Sequence, residues 1–377
     1  MTLPVLEFKS SRPLTMGVEL ELQVVNRRDC DLTRGTSELV RLLAQGKKPG
    51  DARHEITESM LEVSTGVHDR YRAVHEELLS IRSAVADAAD RLNLLVCGGG
   101  AHPFQHWPER YVTEKPRYQH LADVYGYLAK YVTIFGQHVH IGCADGDTSL
   151  RLLHALSRYV PHFLALAASS PYYQGVDTAF DSARLNNMAP YPTSGYAPYV
   201  DSWAEFEAYY DKLKSLGIIE SMKDLYWDIR PKPEYGTVEV RVFDTPLTVD
   251  KAAALAAYVQ ALSRMLLVND RRTETRESYI VYAYNRFQAC RAGLHGDLID
   301  PTTNVHCSIR EDVLQTLPLL ADHARELESA EALLKIERWA RDGLNDARWL
   351  RDRYAATSSF EDLVSSQARL WRGDDRE

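Results

Sequence analysis

Cysteine is scarce in this chain of 377 residues, and what there is does not pair up. Cys30, Cys97, Cys143, Cys290 and Cys307 are widely scattered, odd in number, and lack any CxxC spacing. That argues against a disulfide framework or a cysteine zinc site and fits a reducing cytoplasm. An excess of basic residues is missing too: 44 Lys+Arg face 53 Asp+Glu, a formal charge of −9. Without a strong positive field a nucleic-acid backbone is not an expected partner, although a local basic pocket for ATP remains allowed. The most apolar helical stretch reads as Val160–Ala168, far too short to span a bilayer, so no membrane partner is expected. The opening MTLPVLEFKSSRPLT has no basic stretch leading into an apolar one, so no secretory leader is expected. Internal repeats, the Gly-Lys-Ser/Thr phosphate loop, the GxSxG elbow and the GxGxxG fingerprint are all absent.

What is present is an ordinary globular composition, with 45% hydrophobic and 26% charged residues. A chain this long buries roughly three-quarters of its unfolded surface, enough for a large core. Gly17–Val25 (GVELELQVV) alternates apolar and polar residues and predicts a half-buried strand. Residues 52–64 are ambiguous: Glu55, Glu58 and Glu62 have helical spacing, while Ile56, Thr57 and Val63 are β-branched. Residues 69–93 predict a helix with Val74, Leu78, Ile81 and Val85 on one face, followed by a short buried strand at Leu94–Cys97. A strand over 131–142 precedes a long helix over 149–169, which Pro161 should kink or divide.

Residues 171–200 hold four prolines, two glycines and five tyrosines, and read as a long loop of the kind that often serves function. A helix over 203–220 then leads to a strand within 226–245. Beyond Asp250, which is suited to cap a helix, the pattern is helical to a charged, frayed ending, RGDDRE. With no βαβα alternation, the expectation is an α+β fold: a largely antiparallel sheet with helices on one face and the other face free to be polar.

Three strands carry paired polar residues at i and i+2: Glu19 and Glu21, His138 and His140, Glu239 and Arg241. That spacing places each pair on one face of its strand. Any solvent-facing strand alternates in this way, but it usually recruits Thr, Lys, Ser and Gln rather than carboxylates and imidazoles. If the three share a sheet, their carboxylates need a compensating cation, and oxygen-rich ligation favours Mg²⁺ or Mn²⁺. Glu55, Glu58 and Glu62 would add ligands if their segment borders that surface. Cys97–Pro103 (CGGGAHP) offers either a phosphate cradle or a tight turn, the turn being the simpler reading. Arg184 in the Tyr-rich loop is able to clamp a carboxylate or phosphate, although a lone loop arginine is more often only solvated.

The segments GVELELQVV, HEITESMLEVST, CGGGAHPFQ, FGQHVHIG, WDIRPKPEYGTVEVRVFDTPLT and YNRFQACRAGL, in this order, resemble the type 2 glutamate–cysteine ligase family. Its members are also described as ATP-dependent carboxylate–amine ligases. The resemblance implies a glutamine-synthetase-like catalytic fold whose curved, mainly antiparallel sheet receives ATP, metal and an amino acid on its concave face. It implies one catalytic domain over residues 1–377, mostly helical from about 250. The implied chemistry phosphorylates the γ-carboxylate of glutamate with ATP; an amine such as cysteine then displaces phosphate to form an amide.

On this resemblance Glu19, Glu21, Glu55 or Glu62, His138 and Glu239 are the expected ligands of Mg²⁺ (or Mn²⁺). Arg241 would face the transferred phosphoryl group, with Arg230 and Arg184 contacting substrate or phosphate. An acyl phosphate must be kept from water, and residues 171–200 are the candidate lid. The resemblance implies a cytoplasmic homodimer and leaves the acceptor amine open, since type 2 members are associated with only weak glutamate–cysteine ligase activity. Two other readings compete. One is a zinc-dependent amide hydrolase using His138, His140 and His54 or His102; the other is a non-catalytic nucleotide or amino-acid binding module.

Overall fold

A computed structural model describes residues 6–46, 50–269 and 272–374, apart from the side chains of 272–275. The first strand, β1 (Met16–Asn26), is central to the fold. Its outer half pairs with β3 (Met60–Ser64) on one edge and β5 (Gly136–Gly142) on the other, and its far end pairs with β4 (Leu94–Cys97). β2 (Asp51–His54) extends the sheet beyond β3. The ambiguous segment 52–64 is therefore a hairpin, with the β-branched residues outweighing the helical spacing of its glutamates.

Further along the chain come the two-residue strands β6 (Tyr172–Tyr173), β7 (Val176–Asp177), β8 (Ser194–Gly195) and β9 (Tyr226–Trp227). Then β10 (Ile229–Lys232) and β11 (Thr237–Asp244) complete the main sheet in the order β10-β11-β5-β1-β3-β2, every pair antiparallel. The single strand expected within 226–245 is thus a hairpin. It folds at Gly236, whose positive φ of 66° and closeness to Lys9 O leave no room for a side chain. Pro231 is tolerated because β10 is an edge strand.

One face of the sheet is dry. Val18, Leu20, Leu22, Val139, Ile141, Val238, Val240 and Val242 are all buried. Covering it are α2 (Tyr71–Arg91), α5 (Gly146–Ser157), α6 (Val160–Ala167) and α8 (Val249–Asn269). α2 buries Val74, Leu78, Ile81 and Val85, the face its spacing predicts. The helix expected over 149–169 is divided in two, with Pro161 in the first turn of α6, where its missing N–H costs nothing. α8 is long and apolar enough to cross a membrane, which the reading of Val160–Ala168 as the most apolar stretch overlooked. It is a core helix: its alanines 252–254, 256, 257 and 261 are fully buried, letting it lie close against the sheet and α2. Asp250 sits inside its first turn rather than at the cap; Thr248 Oγ1 accepts from Lys251 N.

Between β4 and β5 the chain forms α3 (Pro116–Tyr125) and α4 (Leu128–Tyr131), so the strand expected from 131 begins only at Gly136. α1 (Thr36–Gln45) lies beside β2, and α7 (Trp203–Ser215) falls where a helix was expected. The last third is helical through α9 (Arg272–Ala292), α10 (Ile309–Leu319), α11 (Ala321–Glu326), α12 (Ala330–Asp342), α13 (Asp346–Thr357) and α14 (Phe360–Arg372). A small hairpin of β12 (Asp297–Asp300) and β13 (Val305–Ser308) interrupts it. Residues 375–377 of the ending expected to fray lie outside the described residues.

Candidate active site

The second face of the sheet is polar, and the register explains why. Glu19 lies opposite His138, Glu21 opposite Glu62, His140 opposite Glu239, and Glu239 opposite Arg230. With a side-chain period of two, these cross-strand pairs gather the polar side chains of five strands on one surface. All of these side chains except His140 floor a cavity of about 300 Å³ that is also lined by Arg241, Arg184 and Glu55. All nine site residues anticipated from the sequence line this one cavity.

Charges alternate across the floor. Arg230 Nε donates to Glu239 Oε2 at 2.6 Å, and Arg241 pairs with the other oxygen, Oε1. His138 Nδ1 lies 3.1 Å from Glu19 Oε2, and Gly136 N–H donates to Glu21 Oε2 at 2.5 Å. β11 is bulged between Val240 and Phe243, which places Val242 and Phe243 both in the core and leaves Arg241 over the floor. Arg241 is held on both sides of its own backbone: its N–H donates to Asp228 O at 2.9 Å, and its C=O accepts from Arg184 Nη1 at 3.2 Å. Arg184 itself packs onto Gly136, where a Cβ would lie 1.9 Å from its Nη2.

Among the described residues, Glu19, His140 and Glu239 form a cluster of potential metal donors, with one ligand atom from each lying within 4.8 Å of the others. His140 Nε2 is 3.4 Å from Glu19 Oε1 and 4.0 Å from Glu239 Oε1. It is buried and has no hydrogen-bond partner, while Nδ1 is engaged by Thr237 Oγ1 at 2.9 Å. A tautomer donating from Nδ1 to Thr237 would present the Nε2 lone pair to a divalent cation placed between the two carboxylates. His138 Nε2 is likewise buried without a partner, 3.8 Å from Glu21 Oε1. His140, on the same strand face as His138 by the HVH spacing, is not among the Mg²⁺ ligands expected from the resemblance, yet its register opposite Glu239 brings it into this cluster.

Protonation follows the neighbours. Burial would raise the Glu19 carboxyl, but His140 and His138 outweigh it and hold it well below the usual range. Glu239 is also buried, yet Arg230 and Arg241 hold it well below. Glu62 goes the other way: burial and the charges of Glu19, Glu55 and Glu21 push it well above. Burial and Glu21 push Glu55 up to about 7. Two carboxyls are thus ionised and paired, while burial and the repulsion of neighbouring carboxylates make the other two resist ionisation.

Several expected roles are not supported. Glu58 turns away to bond Ser37 N and Oγ at the start of α1. His102 is fully buried elsewhere, with Nε2 bonded to Cys30 O and Nδ1 accepting from Gln105 N, so it cannot join a zinc site with His138 and His140. His54 lines the cavity but is engaged by Ser37 and Lys115. Gly98–Gly100 is neither the tight turn nor an open phosphate cradle but a segment packed hard against 244–246: a Cβ at Gly98 would lie 2.1 Å from Pro246 O and one at Gly100 2.4 Å from Asp244 Cγ. Residues 184–195 of the expected lid form a wall of the cavity through Arg184, Leu185, Met188 and Tyr191. That wall is tied down by β8–β9 pairing and by Tyr191 packing tilted on Tyr125 and edge-on to Tyr226. The sequence reading missed Arg53, Tyr118, Asp228 and Arg286, which also line the cavity. The last two lie inside motifs already singled out, WDIR and YNRF.

The sequence profile of glutamate–cysteine ligase family 2 matches residues 15–366. The chain belongs to that family. A relative from Janthinobacterium sp. (strain Marseille), provisionally named glutamate–cysteine ligase 2, is 52% identical over 366 residues, covering 97% of this chain and 99% of its own. One of the same provisional name from Herminiimonas arsenicoxydans is 50% identical, with the same coverage. Among solved structures, a glutamate–cysteine ligase from Francisella tularensis in complex with AMP superposes with a TM-score of 0.70 at 13% identity, over 97% of this chain and 90% of that one. A bifunctional glutathione synthetase from Pasteurella multocida gives 0.71 at 14% identity, over 96% and 52%. At that identity the likeness is one of fold, and the α+β architecture of a family 2 chain is thereby shared with these ligases.

Proposed function

We propose that this family member is an ATP-dependent carboxylate–amine ligase of the glutamate–cysteine type. In this reading it forms an amide through a γ-glutamyl phosphate and releases ADP and phosphate. The observation that carries the proposal is the sheet face on which Glu19, His140 and Glu239 converge beside Arg241, Arg230 and Arg184. Moving a phosphoryl group between two anions requires fixed positive charge and dry, preorganised geometry, not an enzyme nucleophile.

Glu19, His140 and Glu239, with Glu21 and His138 beside them, would hold divalent metal, Mg²⁺ or Mn²⁺. Glu55 and Glu62 would complete its surroundings. The metal would supply charge neutralisation on the phosphates when bound. Arg241, fixed at its bulge, offers its guanidinium to the oxygens of the transferred group. Arg230 keeps Glu239 ionised and oriented. Arg184 is buried with its Nε unpartnered, which leaves a donor for a substrate carboxylate or phosphate. Residues 184–191 close one side of the cavity and limit water at an acyl phosphate.

The same reading takes residues 1–377 as one catalytic unit, supported by a core cluster that runs from Met16 to Trp371. It also takes the chain as a cytoplasmic homodimer, to be checked by sedimentation. The test of function is ADP and phosphate release from purified protein with ATP, Mg²⁺, glutamate and a panel of amines, cysteine included. Release that needs both glutamate and an amine supports the proposal. ATP-independent amide hydrolysis, or nucleotide binding with no turnover on any amine, contradicts it.

A further inference from the structure

The motif Tyr284–Leu294, at the end of α9 and just beyond it, supplies no strand residue to the floor, although Arg286 lines the cavity wall; Tyr282 lies one helical turn before Arg286 on α9. Both Arg286 and Tyr282 are bound to Asp228, which lines the same cavity. That carboxylate is buried and fully engaged: Tyr282 Oη donates to Oδ2 at 2.8 Å, Arg286 Nε donates to Oδ2 at 2.8 Å, and Arg286 Nη2 to Oδ1 at 3.3 Å. The backbone of Asp228 is engaged as well. Its N–H donates to Gly195 O at 2.7 Å, and its C=O accepts the N–H of Arg241 at 2.9 Å.

Asp228 is therefore the point where the wall segment ending at Gly195, the bulge carrying Arg241, and α9 meet. The bulge needs such a tie. At residues 241–242 the ladder to β5 is interrupted, so on that side the strand lacks the hydrogen bonds that would fix the direction of Arg241. Its orientation depends on its other edge, which is Asp228 O, and on Arg184 at its carbonyl. A bidentate arginine–carboxylate pair has a fixed planar geometry that a single point charge lacks. Tyr282 is in turn packed between Tyr196 and Tyr279, at ring distances of 5.2 and 6.0 Å.

We infer that Arg286 and Tyr282, acting through Asp228, are positioning residues that set the direction of the Arg241 guanidinium over the cavity floor. This rests on the ligase reading for its kinetic consequence, but not for its structural one. The test has two arms on the full chain. The first is amide hydrogen exchange of residues 237–244 in Arg286→Met, Arg286→Lys and Tyr282→Phe, with thermal unfolding as a check on folding. The second is ligase kinetics of the same variants and of Asp228→Asn, singly and combined with Arg286→Met.

Exchange at the Arg241 amide should quicken about tenfold in Arg286→Met, while the amides of β1 and β3 stay protected. Tyr282→Phe, which loses one hydroxyl, should show the same effect more weakly. In turnover, Arg286→Met should lower kcat about tenfold or more and leave the KM values for ATP and glutamate within about twofold. Arg286→Lys should fail to restore it, and the double variant should be no worse than Asp228→Asn alone. Unchanged protection at Arg241 overturns the inference, as does a rise in KM with kcat preserved or an additive double variant, both of which would mark Arg286 as a substrate contact. If wild-type protein shows no ligase turnover, the proposed function falls, while the exchange arm still decides this inference.

Discussion

Glu19 and Glu239 are the residues on which the site turns, and their neighbours say how each would fail. Glu19 is held well below the usual carboxylate range chiefly by His140 and His138, which outweigh its burial. Glu19→Gln should therefore leave the fold intact, weaken Mn²⁺ binding about tenfold or more by calorimetry, and bring ATP turnover to background. Retained Mn²⁺ affinity would remove Glu19 from the ligand set. Glu239 has a second duty, since Arg230 and Arg241 both lean on it in a buried setting. Glu239→Gln should lose activity and also stability, by about 3 kcal/mol in urea unfolding, because two buried guanidiniums lose their counter-charge.

The residue scale also gives a pH dependence. Burial lowers His102 from an ordinary 6.5 to about 3, with both ring nitrogens satisfied in the neutral form. Above pH 6.5 folded and unfolded chains are both neutral at this residue. Between 6.5 and about 3 only the unfolded chain takes the proton, so stability falls as pH falls. The urea midpoint should drop steadily from pH 7 to pH 4, with a contribution on the order of 3 kcal/mol from this residue. His102→Gln should start less stable and show a shallower slope; an equal slope would assign the acid sensitivity to other groups.

At the scale of elements, the alternation of β1, β5 and β11 made the polar face legible from sequence, because a period of two assigns a face without knowledge of partners. What alternation cannot supply is register. That Glu19 meets His138, and that His140 rather than His138 shares a donor cluster with Glu239, follows from pairing across the sheet. The bulge at 240–243 was also invisible, since VEVRVF reads as unbroken alternation until Phe243 is found in the core beside Val242. The hairpin at 233–236 was hidden because Pro and Gly were read as part of one strand. Gly136 illustrates how tightly these elements fit. Gly136→Ala would thrust a methyl into the Arg184 guanidinium, and should cost about 1–3 kcal/mol of stability and at least tenfold in turnover. Normal activity in that variant would mean that Arg184 has freedom the packing denies.

At the scale of the molecule, the order of predicted strands and helices identified an α+β chain, and ordered motifs identified its family. The division of labour was less legible. The last third is helical as the pattern indicates, but nothing in its periodicity shows that α9 reaches the active-site strand or that α13 closes onto α8. That second link is a buried pair: Lys251 Nζ bonds Asp346 Oδ1 at 2.7 Å, and Asp346 Oδ2 accepts from Leu247 N at 2.9 Å. Such long-range pairs depend on where helices dock, which local sequence does not encode. Lys251→Met would leave Asp346 buried without its cation and should cost about 3–5 kcal/mol. The loss should appear in one cooperative unfolding transition if the helical third and the sheet form one unit, and in two if they do not.

The acid excess of the chain has a specific location, since Glu19, Glu21, Glu55, Glu62 and Glu239 are gathered around one cavity rather than spread over a surface. The most direct test of what that cavity does is product release: ADP and phosphate measured in Mg²⁺ and ATP, with glutamate and amine each supplied or withheld. Stoichiometric release only when both are present, abolished in Glu19→Gln, is the expected result. Full release in Glu19→Gln, or release indifferent to glutamate, would contradict the assignment of this cavity.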